Sequence, residues 1–217
     1  MPMISHKYKI AYFPVPKVAC TSLKHAIYAL ENGIEYAPSN HGGRKIQPNF
    51  PTQDFATVNL AALDGYWKIA VVRDPASRVI SAYANKIEKW SNRLAKRKPD
   101  STPQDGTPVG TPPTLIEFCT RLPHYRAQFG PIRHHTDSLA TFLGPDLGFF
   151  DRVYRMEELD ILCADITART GQPFVLPHSN PSKPVDRTMN DEATAALLAY
   201  CAPDYQYLCN HYSAPAP

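Results

Sequence analysis

No Cys-x-x-Cys pair occurs in this sequence, and its five cysteines (Cys20, Cys119, Cys163, Cys201 and Cys209) are an odd, scattered set. Zinc ribbons and disulfide frameworks need paired or regularly spaced sulfurs, so neither fits, and the pattern suits a reducing compartment. Long apolar runs are missing as well. No stretch approaches the length that crosses a bilayer, and the start, Met-Pro-Met-Ile-Ser-His-Lys, has no apolar signal region. The expectation is a soluble cytoplasmic protein with no transmembrane segment. A strong excess of one charge is also absent, because 23 Lys and Arg against 20 Asp and Glu leave only +3. That balance accommodates an anionic ligand but does not argue for nucleic acid as a partner. There is no internal repeat. What remains is 217 residues with 43% hydrophobic side chains, enough for one domain with a sizeable core, and 22 prolines gathered in loops and at the tail.

The most informative stretch begins at Lys9. Ile10 to Val15 is a short apolar run that reads as a buried strand, and Pro14 and Pro16 end it, since proline has no N–H to give a ladder. Thr21 or Ser22 offers an N-cap hydroxyl, and Leu23, Ala26, Ile27 and Leu30 follow at helical spacing. The pattern is strand, tight loop, helix, with Lys17 in the loop. A helix N-terminus presents unpaired N–H groups and the positive end of the macrodipole, a natural seat for an anion. The loop contains no glycine and its lysine precedes the hydroxyls, so it is not a Walker A loop. An ordinary capped turn with a surface lysine is the competing reading.

A second junction has the same plan. Trp67 to Val72 is almost continuously apolar, as in a parallel strand covered on both faces, and it ends at Arg73-Asp74-Pro75. Asp74 is placed to cap the next helix with Pro75 at its first position. Arg73 thus falls at the carboxyl end of a parallel strand, where open α/β sheets bind ligands, and a guanidinium suits phosphate. Ser81 lies two helical turns further on.

The segments Pro16-Lys17-Val18-Ala19-Cys20-Thr21-Ser22-Leu23-Lys24 and Val72-Arg73-Asp74-Pro75-Ala76-Ser77-Arg78-Val79-Ile80-Ser81 together resemble the two donor-binding motifs of the carbohydrate sulfotransferase superfamily. The similarity is greatest to the branch of the chondroitin and dermatan sulfotransferases. The resemblance implies an α/β, P-loop-like three-layer fold with a central, mainly parallel sheet flanked by helices. It implies a co-substrate, 3′-phosphoadenosine-5′-phosphosulfate (PAPS), the product 3′,5′-ADP, and a carbohydrate or other hydroxyl acceptor. By motif match, Lys17, Val18, Ala19, Cys20, Thr21 and Ser22 would take the 5′ end, and Arg73 and Ser81 the 3′-phosphate. His178-Ser179-Asn180-Pro181-Ser182-Lys183 resembles a turn near the nucleotide, adding Asn180 and Lys183. Asp151 to Leu159 and Asp204-Tyr205-Gln206-Tyr207 are similar to two further recurrent segments, so the likeness touches most of the chain.

Other stretches carry less. Ile34 to Tyr36 reads as a short strand, and residues 37–66 as a long loop bearing Asn40-His41-Gly42-Gly43-Arg44-Lys45. A sulfuryl acceptor needs a base; His41 is the first candidate and His135 the second. The basic residues of 86–98 read as a solvated helix face, and residues 99–114 as a flexible Pro-rich excursion within a single domain, 1–217, whose end, 213–217, is a frayed tail. Leu115 to Leu122 resumes helical spacing, and a last helix spans Asn190 to Cys201. His134 and His135 near Asp137 have no third ligand at metal spacing, so no metal site is expected. A Cys20 nucleophile of the tyrosine-phosphatase kind would need an arginine where Ala26 stands. Two alternatives to sulfuryl transfer remain: a P-loop-kinase-like phosphotransferase, and a non-catalytic nucleotide-binding module.

Overall fold

A computed structural model of the chain describes residues 1–94, 113–177 and 187–215, with backbone alone over 86–94. Four strands form one sheet in the order β1 (Met3–Ser5), β2 (Ile10–Phe13), β3 (Trp67–Val72) and β4 (Arg152–Arg155). β1 runs antiparallel to β2, while β2, β3 and β4 run parallel, with Ile10 opposite Trp67 and Val72 opposite Arg155. The fold is therefore α/β with a mixed sheet. Every residue of β2 and the last four of β3 are buried, which is what continuous apolar runs demand.

Nine α-helices are described: α1 (Cys20–Asn32), α2 (Ile46–Asn49), α3 (Pro75–Leu94), α4 (Leu115–Thr120), α5 (Leu122–Gln128), α6 (Gly130–Thr136), α7 (Leu139–Leu143), α8 (Leu159–Thr170) and α9 (Asp191–Tyr207). Leu23 and Ile27 of α1, Phe142 of α7 and Ile166 of α8 close over the sheet in one core. A second core joins Val79 and Tyr83 of α3 to Phe118 of α4, Tyr125 of α5 and Leu197 of α9. No described helix is long and apolar enough to cross a membrane.

Several local expectations hold and several do not. Asp74 caps α3, its Oδ1 accepting from Ser77 N at 2.7 Å, and Gly33 and Gly171 end α1 and α8 in the left-handed region. Ile34 to Tyr36 forms no strand, since no sheet edge reaches it. The 37–66 stretch is not bare loop; it winds through α2 and three short 3₁₀ turns. The helix expected over Leu115 to Leu122 breaks at Arg121, where α5 begins with Pro at its second position. α9 runs six residues past Cys201, through Pro203, which brings Asp204 to the buried Arg78 and Tyr205 to Asp74.

Those partners tie the second core to α3. Arg78 is fully buried; its guanidinium donates to Asp204 Oδ2 at 3.1 Å, to the carbonyl of Asp137 and, at 3.4 Å, to the carbonyl of His135. Asp204 Oδ1 accepts from Ser138 Oγ at 2.7 Å and Leu139 N at 2.9 Å. Tyr205 Oη donates to Asp74 Oδ2 at 2.7 Å.

Candidate active site

The chain leaves β2 through Pro14-Val15-Pro16 and enters α1 by an unusual backbone path. Lys17 and Ala19 both lie in the left-handed region, with φ of 71° and 44°. Neither is glycine, and such a conformation costs an ordinary residue about 1–3 kcal/mol. The geometry does what the missing glycines would have done. Ala19, left-handed, is followed by helical Cys20, and alternation of hand turns successive N–H groups toward one hollow, an anion-binding arrangement. The expected hydroxyl cap does not form: Ala19 is the N-cap, with no side-chain cap bond, and Thr21 and Ser22 stand inside the first turn. The first N–H groups of that turn have no partner within the helix.

That hollow is part of a cleft of about 890 Å³ at the carboxyl ends of β2, β3 and β4. Lys17, Val18, Ala19, Cys20, Thr21 and Ser22 line it, and so do Arg73, Ser81 and His135. Two cations 56 residues apart in sequence thus share one cavity, and Arg73 Nη1 donates to the Lys17 carbonyl at 3.3 Å. Burial, and after it the nearby charge of Arg187, pushes the Arg73 guanidinium below its ordinary value, while Glu157 and Asp74 pull the other way. An arginine so placed stays charged. Ser81 is buried on α3, and Asn85, one turn on, donates to its carbonyl at 3.2 Å and also lines the cleft.

The two candidate histidines differ sharply. His135 Nδ1 lies 2.6 Å from the Pro131 carbonyl, which can only accept, so Nδ1 carries the proton and the lone pair of the neutral ring sits on Nε2. His41 does not line the cleft. Its ring stacks on Tyr36 at 4.4 Å, its Nε2 is 3.1 Å from Tyr28 Oη, and it faces a separate hollow of about 530 Å³ with Arg44, Asn49 and Phe50. Asn180 and Lys183 lie outside the described residues.

Sequence reading passed over four lining or neighbouring residues. His25 lines the cleft one turn beyond Thr21, so helical spacing alone would have put it on that face. Burial lowers its pKa. Gln47 and Asn85 also line the cleft, but an isolated amide in a loop or helix gives no signal. Arg187 becomes a neighbour of Arg73 only through the fold.

Adjacent parallel strand ends bring a lysine and an arginine, with the N-terminus of α1, to one cleft of an α/β fold, an arrangement suited to an anionic ligand. The chain belongs to the sulfotransferase family, whose model ("Sulfotransferase family") matches residues 2–200. It is 24% identical to carbohydrate sulfotransferase 11 of Rattus norvegicus over an aligned 176 residues, covering 73% of this chain and 49% of the relative. The Mus musculus protein of the same name gives the same figures. The chain spans about half the length of these curated relatives. No solved structure matches it significantly.

Proposed function

We propose that this protein moves a sulfuryl group from PAPS to a hydroxyl of a carbohydrate or glycoconjugate, on a P-loop-like three-layer fold. The observation that carries the reading is the convergence of Lys17 and Arg73 on one cleft, joined by the 3.3 Å hydrogen bond. PAPS is an extended molecule with negative charge at both ends of its ribose. Arg73 and Ser81 take the 3′-phosphate. The left-handed loop, Thr21 and Ser22 take the 5′ end. Asn180 and Lys183 belong to the same donor site by motif match.

Sulfuryl transfer, like phosphoryl transfer, passes in line between two oxygens and depends on positioning and charge stabilisation. The acceptor oxygen attacks sulfur and the bond from sulfur to the 5′-phosphate oxygen breaks. Lys17 neutralises the charge that grows on that oxygen as 3′,5′-ADP departs. His135 Nε2 takes the acceptor proton, its ring held by the Pro131 carbonyl. His135→Ala is expected to lower kcat by about 10²–10⁴-fold. His41→Ala, altering a ring packed on Tyr36 outside the cleft, should leave kcat near wild type. Steady-state kinetics of the two variants with PAPS decide between the bases.

The donor is tested by thermal shift. At a hundred times its dissociation constant, 3′,5′-ADP should stabilise the fold by about 2.7 kcal/mol, an upward shift of roughly 5–10 °C for a chain of this size. Stabilisation by ATP or ADP with none by 3′,5′-ADP would replace the sulfotransferase reading with a phosphotransferase one. An acceptor screen with radiolabelled PAPS then separates an enzyme from a module that binds the nucleotide without turnover.

A further inference from the structure

Beneath the loop lies a buried lysine that pairs with no carboxylate among the described residues. Lys24, one turn after Thr21 on α1, is wholly inaccessible. Its Nζ donates to Gln47 Oε1 at 2.8 Å and to Thr52 Oγ1 at 3.0 Å. Burial pulls its pKa down to about 8, so it remains an ammonium at neutral pH. An ammonium only donates, so it fixes which end of the Gln47 amide faces it; the oxygen must point inward. The amide nitrogen is thereby turned the other way, and Gln47 Nε2 donates to Thr21 Oγ1 at 2.7 Å. Thr21 Oγ1 makes no other hydrogen bond among the described residues. Having accepted from Gln47, it keeps its own O–H to give.

Gln47, Thr52 and Thr21 all line the cleft, and Gln47 is brought there by α2, on the stretch that follows the aromatic stack of Tyr36 and His41. We propose that Lys24 and Gln47 are positioning residues, a one-directional relay that holds Thr21 as a hydrogen-bond donor to the anionic 5′ end of the donor nucleotide. The relay rests on the donor reading given above. Neutral acceptors are the informative choice of partner for Lys24. A carboxylate would satisfy the ammonium but cancel its charge, whereas an amide and a hydroxyl leave a net positive charge a helical turn from Thr21. The direction also matters: each link is polarised by the one before it, which strengthens a chain of this kind.

The test is binding of 3′,5′-ADP by calorimetry to the full chain. Gln47→Leu and Thr21→Val should each weaken binding by about tenfold or more, the worth of a hydrogen bond to a charged group. The double variant should bind no more weakly than Thr21→Val alone, because both changes remove the same bond. Lys24→Met should weaken binding at least as much, while its thermal midpoint without ligand equals or exceeds wild type, since a buried charge has been exchanged for an apolar side chain. If Gln47→Leu leaves Lys24 too poorly satisfied to fold, Lys24→Met/Gln47→Leu removes both partners and carries the same expectation. Arg73→Ala separates the two readings. Weakened binding by Arg73→Ala with Gln47 variants within twofold of wild type, or strictly multiplicative losses in the Thr21/Gln47 double, would overturn the relay and leave the donor site standing. A wild-type protein that does not bind 3′,5′-ADP removes both.

Discussion

Lys17→Ala is expected to lower kcat for sulfuryl transfer by about a thousandfold, at the upper end of what one charge-stabilising donor contributes. The argument is positional. Lys17 sits in the left-handed region at φ 71°, one residue beyond the prolines that end the exit from β2, and it lines the cleft with Arg73. Alanine keeps the Cβ, so the backbone strain is the same in both proteins and the variant reports on the ammonium alone. The charge is needed most when the 5′-phosphate oxygen becomes a leaving group, so the loss should fall mainly on kcat and less on the KM for PAPS. Lys17→Arg should recover part of the binding and little of kcat, because a planar guanidinium cannot occupy the position of a point charge. Steady-state kinetics at varied PAPS check both statements. A Lys17→Ala enzyme within tenfold of wild-type kcat would remove Lys17 from the chemistry.

The two junctions were legible because each combines signals of short range. The apolar runs Ile10 to Val15 and Trp67 to Val72 announce buried strands, the first ending two residues early at Phe13, and Asp74-Pro75 announces a cap. Their meeting in one cleft follows from parallel pairing of β2 with β3, a rule of α/β topology more than of any residue. The loop conformation was not legible. Nothing in Lys17-Val18-Ala19 advertises positive φ, since residues that visit it freely are glycine and asparagine. His41 is a different case: a histidine on a glycine-rich stretch reads as a poised base, and its place beside Tyr36, outside the cleft lining, depends on ring contacts that no spacing rule encodes. The Lys24 relay was hidden for the same reason. Lys24 stands at i+3 from Thr21, but Gln47 comes to it on the short helix α2, after a 3₁₀ turn, and Thr52 from just beyond that helix. Helical periodicity locates faces; it does not reveal which loop will cover them.

Asp204→Ala is expected to destabilise the fold by about 3–5 kcal/mol, the cost of stripping one partner from a buried ion pair. Arg78 would keep its charge in an interior where its side chain is only 1% exposed, with backbone carbonyls of His135 and Asp137 as its remaining partners. Ser138 Oγ and Leu139 N would lose their shared acceptor at the start of α7. For a chain of about 200 residues this is a fall in thermal midpoint of roughly 6–20 °C, readable by circular dichroism or by urea titration. A midpoint within 3 °C of wild type would show that water or a side-chain shift satisfies Arg78, and that the pair is dispensable. Arg78 already has one buried, unpartnered nitrogen, Nε, so the network is imperfect as it stands. Arg78→Met/Asp204→Leu, which removes both charges, should therefore be more stable than Asp204→Ala despite the extra substitution. Stability and activity should then part company. Arg78 holds the carbonyl of His135, so the double variant is expected to fold yet lose kcat, as the imidazole drifts from the acceptor while the Lys17 and Arg73 ends of the cleft still bind 3′,5′-ADP.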